Sequence, residues 1–182
     1  HPEIAPICWN AVLEAGTDLG MKPAGLAARD STRIEAGLPL YGHELAGPHN
    51  INPYECGLGA YVKLHKPFFV GRQAYIDRVH QAVMKVIRYR ITELNVRPPR
   101  EGNSVVDRRG RIVGHVTSSA RGSDGYMLGQ AYVGSQYSKP GTQIGILQDA
   151  LDSHELPYYD PKIGDRVPLH SWAEVLPRFR RS

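Results

Sequence analysis

Only two cysteines, Cys8 and Cys56, occur in the 182 residues, with no Cys-x-x-Cys and no Cys/His pair at zinc spacing. A disulfide framework and a structural metal are therefore not expected, and a reducing compartment fits best. No apolar run approaches the roughly 20 residues of a membrane span, so no membrane partner is expected. Nothing resembling a secretory leader opens the chain. His1-Pro2-Glu3-Ile4 runs directly into a helix-like pattern, and the missing initiator Met suggests a cut or processed piece. The eight histidines include no His-x-x-x-His, and none sits in a nucleophile motif with Ser or Cys. Gly57-Leu58-Gly59 lacks the rest of a dinucleotide fingerprint. The residues alone thus point to no metal ligand and no catalytic nucleophile.

Charge is also modest. The net +4 permits an anionic partner without demanding one. Basic residues cluster only at Arg108-Arg109-x-Arg111 and Arg178-x-Arg180-Arg181, which read as a solvated hairpin tip and a frayed basic tail rather than a nucleic-acid surface. With 41% hydrophobic and 22% charged residues, the composition is that of a soluble globular protein with one core, or one small domain and part of another.

Ile7, Val12 and Leu13, with Trp9 beside them and Gly16 and Gly20 beyond, predict an amphipathic helix over 6–20. A short second helix is expected within residues 25–42, its first turn capped by Asp30 or Ser31 and its end set by Gly37 ahead of Pro39, with Arg29 and Arg33 on one face and Ile34 and Leu38 turned to the core. Loops with a short strand at Ala60–Leu64 follow, then a helix over about 71–81. After Met84 the period changes from helical to alternating. Strands are expected at Val86–Ile91, at Ser104–Val106 and Ile112–Val116 around the Asp107–Gly110 turn, at Leu128–Val133 and at Thr142–Leu147. The fold class is α+β, a helical or α/β segment followed by a small antiparallel β-barrel, with a boundary near residue 85.

The most informative stretch is Gly25-Leu-Ala-Ala-Arg29-Asp-Ser-Thr-Arg33-Ile-Glu-Ala-Gly37-Leu-Pro-Leu-Tyr41-Gly42. It resembles the signature of the glycine cleavage system T-protein (aminomethyltransferase) family. Lys66-Pro-Phe-Phe-Val-Gly71-Arg-Gln-Ala-Tyr75, Pro99-Arg100-Glu-Gly102, Gly110–Ser118, Ala131–Val133 and Lys139–Thr142 extend the resemblance over most of residues 6–147. The pattern departs at Ser119–Tyr126 and fades after 147, where Leu156–Pro161 and the tail differ from it.

This resemblance implies residues 1–85 as the C-terminal part of the folate-binding region and 86–182 as the C-terminal barrel domain. It implies tetrahydrofolate as co-substrate and the lipoylated H-protein as partner. The activity would be transfer of an aminomethyl-derived carbon to tetrahydrofolate with release of ammonia. A folate-dependent demethylase relative and a non-catalytic folate-binding or docking module stay open as alternatives. Arg29 matches the family's folate-contacting arginine. Arg33, Tyr41 and Arg100 join it as candidate cofactor-binding residues, although Glu35 or Glu44 can satisfy Arg33. The family's catalytic aspartate and pterin-binding glutamate lie upstream of the matched region, so this chain is expected to carry one wall of a folate site and to be inactive alone. The implied compartment is the cytoplasm of a bacterium or archaeon, or the mitochondrial matrix of a eukaryote.

Overall fold

The computed structural model describes residues 1–148, 162–165 and 171–179. Contacts divide the chain into two compact units, residues 1–30 and 31–182.

In the first unit the predicted helix forms as α1 (Ala5–Ala15), followed by a 3-10 turn at Thr17–Leu19 that stops at Gly20 in the left-handed region. Ile7, Trp9 and Val12 of α1 are all exposed. The signature helix, α2 (Leu26–Ala36), forms within the expected segment, with Arg29 exposed and Arg33 buried rather than both on one open face. Ala28 N–H donates to the Gly25 carbonyl, so Asp30 and Ser31 lie inside the helix rather than capping it.

The C-terminal end of α2 follows expectation. Gly37 takes a φ of 80°, Leu38 N–H reaches the Arg33 carbonyl at 2.8 Å, and Gly37 N–H reaches the Ile34 carbonyl at 3.0 Å. This 6→1 and 5→2 pairing is a Schellman stop, and glycine supplies its left-handed residue without steric penalty. Ile34 is buried as predicted. Leu38 is instead 51% exposed, because it follows the left-handed residue and leaves the helix face that carries Ile34.

The expected strand over 60–64 is absent. Tyr61 N–H to the Leu58 carbonyl and Val62 N–H to the Gly59 carbonyl close a 3-10 turn at Gly59–Tyr61 instead. Local turn bonds beside two glycines outcompete a five-residue apolar run. The next helix, α3 (Arg72–Gln81), forms where expected.

Six antiparallel strands then close into a barrel in the order β1 (Met84–Leu94), β4 (Tyr126–Gly134), β3 (Ile112–Arg121), β2 (Ser104–Val106), β5 (Gln143–Ile146), β6 (Ser171–Leu176) and back to β1. Closure leaves no sheet edge open. Alternate residues point inward and form an apolar core that includes Ile87, Tyr89, Ile91, Val105, Val116, Ile144, Ile146 and Val175. Five strands match the alternation read from the sequence; β6 was not anticipated. The segment Leu156–Pro161 lies outside the described residues.

Candidate functional site

The candidate residues fall in different settings. Arg29 sits on α2 within the first unit and is exposed. The other three belong to the second unit. Tyr41 stands in a compact turn on the barrel's outer wall with its ring 79% exposed. The turn is closed by His43 and Glu44 N–H groups donating to the Leu40 carbonyl and by Gly42 N–H donating to the Leu45 carbonyl. Arg100 is exposed on a loop whose backbone N–H donates to Asn103 Oδ1 at 2.8 Å.

Arg33 is buried and faces Glu44. Its Nη1 donates to Glu44 Oε2 at 2.9 Å, and the Glu44 carboxylate is fully buried. Of the two acids open to Arg33 in the sequence, Glu44 takes the guanidinium, while Glu35 accepts from Ser123 Oγ at 2.6 Å. Glu44 Oε2 also accepts from Leu40 N–H at 3.0 Å, and Oε1 accepts from Thr117 Oγ1 at 2.7 Å and from Ser118 Oγ. A buried carboxylate is tolerable only when paired and hydrogen-bonded in this way.

Two consecutive strand residues ordinarily point to opposite faces. Here Val116 pairs with Ala131 and Ser118 with Gln130, leaving Thr117 as an extra residue. This bulge lets both hydroxyls reach one carboxylate oxygen. Ser119 Oγ continues the run by donating to the Pro99 carbonyl, beside Arg100. His43 Nδ1 lies 3.4 Å from Glu101 Oε2 without a hydrogen bond, so the Tyr41 turn and the Arg100 loop approach each other here.

Further anchors fix the end of α2. Arg88 and Arg178 donate to the Glu35 and Gly37 carbonyls, placing positive charge at a helix C-terminus where the backbone dipole favours it. Arg178 also donates to the Cys56 carbonyl at 2.9 Å, and burial draws its pKa down to about 10, leaving it charged at neutral pH. Arg178 is therefore not part of a frayed tail, because backbone carbonyls of α2 and of the Cys56 turn hold it; Arg180 and Arg181 lie outside the described residues.

A second polar cluster lies on the same outer wall. Tyr132 OH donates to Glu55 Oε1 at 2.6 Å, and Arg78 Nη2 stands 3.6 Å from Glu55 Oε2. Burial, then the Glu55 carboxylate, pushes the Tyr132 hydroxyl well above its ordinary pKa. His115 stacks on His49 with ring centroids 3.9 Å apart and meets Tyr132 edge-on at 5.9 Å. Burial and the neighbouring His49 pull the His115 pKa down to about 4, so it is neutral at physiological pH.

Two clefts lie elsewhere on the barrel. One of about 690 Å³ is lined by Thr92, Arg108, Gln143 and Trp172, and one of about 320 Å³ by residues including Arg108, Arg109 and Tyr137. Neither is lined by Arg33, Tyr41 or Arg100. Arg108 and Arg109 are exposed at the hairpin tip, as expected. Among the described residues, no three or more His, Cys, Asp or Glu side chains are grouped to hold a metal, and no helix is long and apolar enough to cross a membrane.

Sequence reasoning missed Thr117, Ser118, Ser119 and Glu55. Three successive hydroxyl residues directly after the apolar Val116 were the available signal for the first set. Glu55 carried none, because its partner Tyr132 is 77 positions away.

Comparison with known proteins places these features in context. Residues 1–66 match the family model of the GCVT N-terminal domain, and residues 89–153 match that of the glycine cleavage T-protein C-terminal barrel domain. Aminomethyltransferase of Saccharopolyspora erythraea is 37% identical over 148 residues, covering 80% of this chain and 39% of that protein. The Streptomyces avermitilis aminomethyltransferase is 39% identical over 168 residues, covering 87% and 44% respectively. The crystal structure of glycine cleavage system aminomethyltransferase T from Bartonella henselae superposes with a TM-score of 0.71 at 25% identity, covering 93% of this chain and 43% of that one. The chain spans about two fifths of the length of these curated relatives. With both T-protein domain models matched in order, and the second falling on the closed barrel, the chain belongs to the glycine cleavage T-protein (aminomethyltransferase) family.

Proposed function

We propose that this chain supplies one wall of the tetrahydrofolate site of an aminomethyltransferase. In that reaction the carbon–sulfur bond of an aminomethyl group on the lipoyl arm of an H-protein breaks. The one-carbon unit passes to tetrahydrofolate, and ammonia leaves. Residues 1–85 belong to the folate-binding region in this reading and 86–182 to the barrel domain, in the bacterial or archaeal cytoplasm or in a mitochondrial matrix.

The observation that carries the reading is the signature segment itself: an exposed Arg29 on α2 and an exposed Tyr41 ring on a turn fixed to the barrel. A guanidinium offers a fixed fork of donors to a carboxylate or heterocycle edge, and a tyrosine ring offers a face for a flat ligand. Arg100 serves as a receiver for a carboxylate. Arg33 acts on the ligand through Glu44, since that carboxylate occupies its guanidinium. No aspartate of these residues is assigned the catalytic part, so binding without turnover is the expectation for the chain alone.

Calorimetric titration of the protein with tetrahydrofolate tests the reading. Saturable binding that Tyr41→Ala weakens by roughly tenfold, the scale of one lost stacking contact, supports it. Absence of binding, or turnover of an aminomethyl-loaded carrier by this chain alone, contradicts it.

A further inference from the structure

Tyr41 and Arg100 lie in loops far apart in sequence, yet both loops are tied to one four-residue stretch of β3, Val116–Ser119. Thr117 and Ser118 donate to Glu44 Oε1, and Glu44 Oε2 holds the Leu40 N–H that starts the Tyr41 turn. Ser119 donates to the Pro99 carbonyl, and Gly102 N–H, at the far end of that loop, donates to the Val116 carbonyl at 2.9 Å. We propose that the bulged Val116–Ser119 stretch is the positioning element of the ligand wall, setting Tyr41 through Glu44 and Arg100 through Pro99 so that both meet the ligand already oriented. This rests on the folate reading given above.

The physical argument is one of preorganisation. An exposed aromatic ring and an exposed arginine each lose rotamer and loop freedom when a ligand immobilises them, and that entropy subtracts from affinity. A turn whose leading N–H is bonded to a fully buried carboxylate has already lost much of it. Burial makes the arrangement unforgiving, because removing one hydroxyl leaves Glu44 under-satisfied and frees the carboxylate to shift. The bulge is the part a regular strand cannot replace. Without Thr117 as the extra residue, only one of the two hydroxyls would face Glu44. Thr117, Ser118, Ser119 and Glu44 touch no ligand in this account; they act through Tyr41 and Arg100.

A coupling experiment separates positioning from general support. Tetrahydrofolate affinity is measured for wild type, Ser118→Ala, Tyr41→Ala and the double variant, with Ser118→Thr as the conservative rescue. In parallel, backbone hydrogen exchange is followed in residues 40–45 and 100–103. Ser118→Ala is expected to weaken binding roughly fivefold to tenfold when Tyr41 is present and less than about twofold when it is absent. Ser118→Thr should restore affinity, and exchange in 40–45 should quicken. Ser119→Ala should quicken exchange in 100–103 and leave 40–45 unchanged; it also serves as the second variant if Ser118→Ala does not fold. Equal loss of affinity with and without Tyr41, or unchanged exchange in both loops, overturns the proposal. If wild type does not bind tetrahydrofolate, the functional reading fails. The exchange data then still decide whether β3 orders the two loops.

Discussion

The barrel interior and its outer wall differ in how far polar bonding adds to apolar packing. Inside, apolar residues from all six strands pack with little polar content, and closure pairs every strand with two neighbours. Outside, residues 33–58 lie on β1, β3 and β4 through a small apolar cluster, Ile51 and Cys56 against Val86 and Tyr132, and through buried charges and hydroxyls. Arg33 meets Glu44, Gln130 Nε2 meets the Leu38 carbonyl at 2.8 Å, Tyr132 meets Glu55, and Arg88 and Arg178 meet the end of α2. Burial of apolar area is non-directional and tolerant of small shifts, whereas a buried ion pair with four donors holds one geometry or loses several kcal/mol.

The largest expected effect comes from leaving one buried charge without its partner. Glu44→Leu should cost about 3–5 kcal/mol by denaturant unfolding, while adding Arg33→Met should recover a substantial part of it. A double variant as unstable as the single one would show that the hydroxyl contacts, not the ion pair, carry the cost. A core deletion comes next. Ile146→Ala, in a fully buried position, should cost about 2–5 kcal/mol without altering exchange in residues 40–45, because the lost packing is on the opposite side of the sheet.

Gly114→Ala should cost about 1–3 kcal/mol. Its Cβ would stand 2.2 Å from the Tyr132 carbonyl oxygen and 2.7 Å from Val133 Cα, and neither is a flexible side-chain end. Loss of protection at Tyr132 is the accompanying sign. A wild-type melting temperature in this variant would contradict the close strand approach.

The pH dependence is smaller. His115 titrates at about 4 in the folded chain against its ordinary 6.5, so the unfolded state binds the proton first. Stability is therefore fully present above about 6.5 and is lost as pH falls toward 4. The contribution should be of order 1–2 kcal/mol, reduced from the full linkage value because the ring is only partly buried. His115→Gln should flatten that part of the wild-type curve; an unchanged slope between those values would remove His115 as its source. The smallest effect concerns Tyr89. Its hydroxyl is buried in the barrel with no hydrogen-bond partner among the described residues, so Tyr89→Phe should be neutral or stabilising by up to about 1 kcal/mol.

These two regions were not equally legible in the sequence. The interior was, because strand alternation and glycine turns are local: Val86–Ile91, Ser104–Val106 and the Asp107–Gly110 turn are where the pattern puts them. β6 escaped because Ser171–Leu176 is a short run beyond the family resemblance and gains its identity only by pairing with β1 and β5. The outer wall was mostly hidden. The Gly37 stop could be read, but Glu44 with Thr117 is a contact across 73 positions, and no local period reports it. Arg178 was mistaken for a loose tail for the same reason, since its partners at Gly37 and Cys56 are distant in sequence. Tyr41 and Arg29 were legible as candidates only through the family signature.

The central claim is that the signature arginine Arg29 contacts a folate, and Arg29→Ala tests it most directly. Calorimetric titration with tetrahydrofolate and thermal unfolding are run on wild type and variant together. Loss of one charge-assisted hydrogen bond predicts a drop of about 1.5–3 kcal/mol in binding, roughly tenfold to a hundredfold in affinity, with stability changed by no more than about 1 kcal/mol. Unchanged affinity in a variant with a lowered melting temperature would contradict the account and make Arg29 a structural residue of α2.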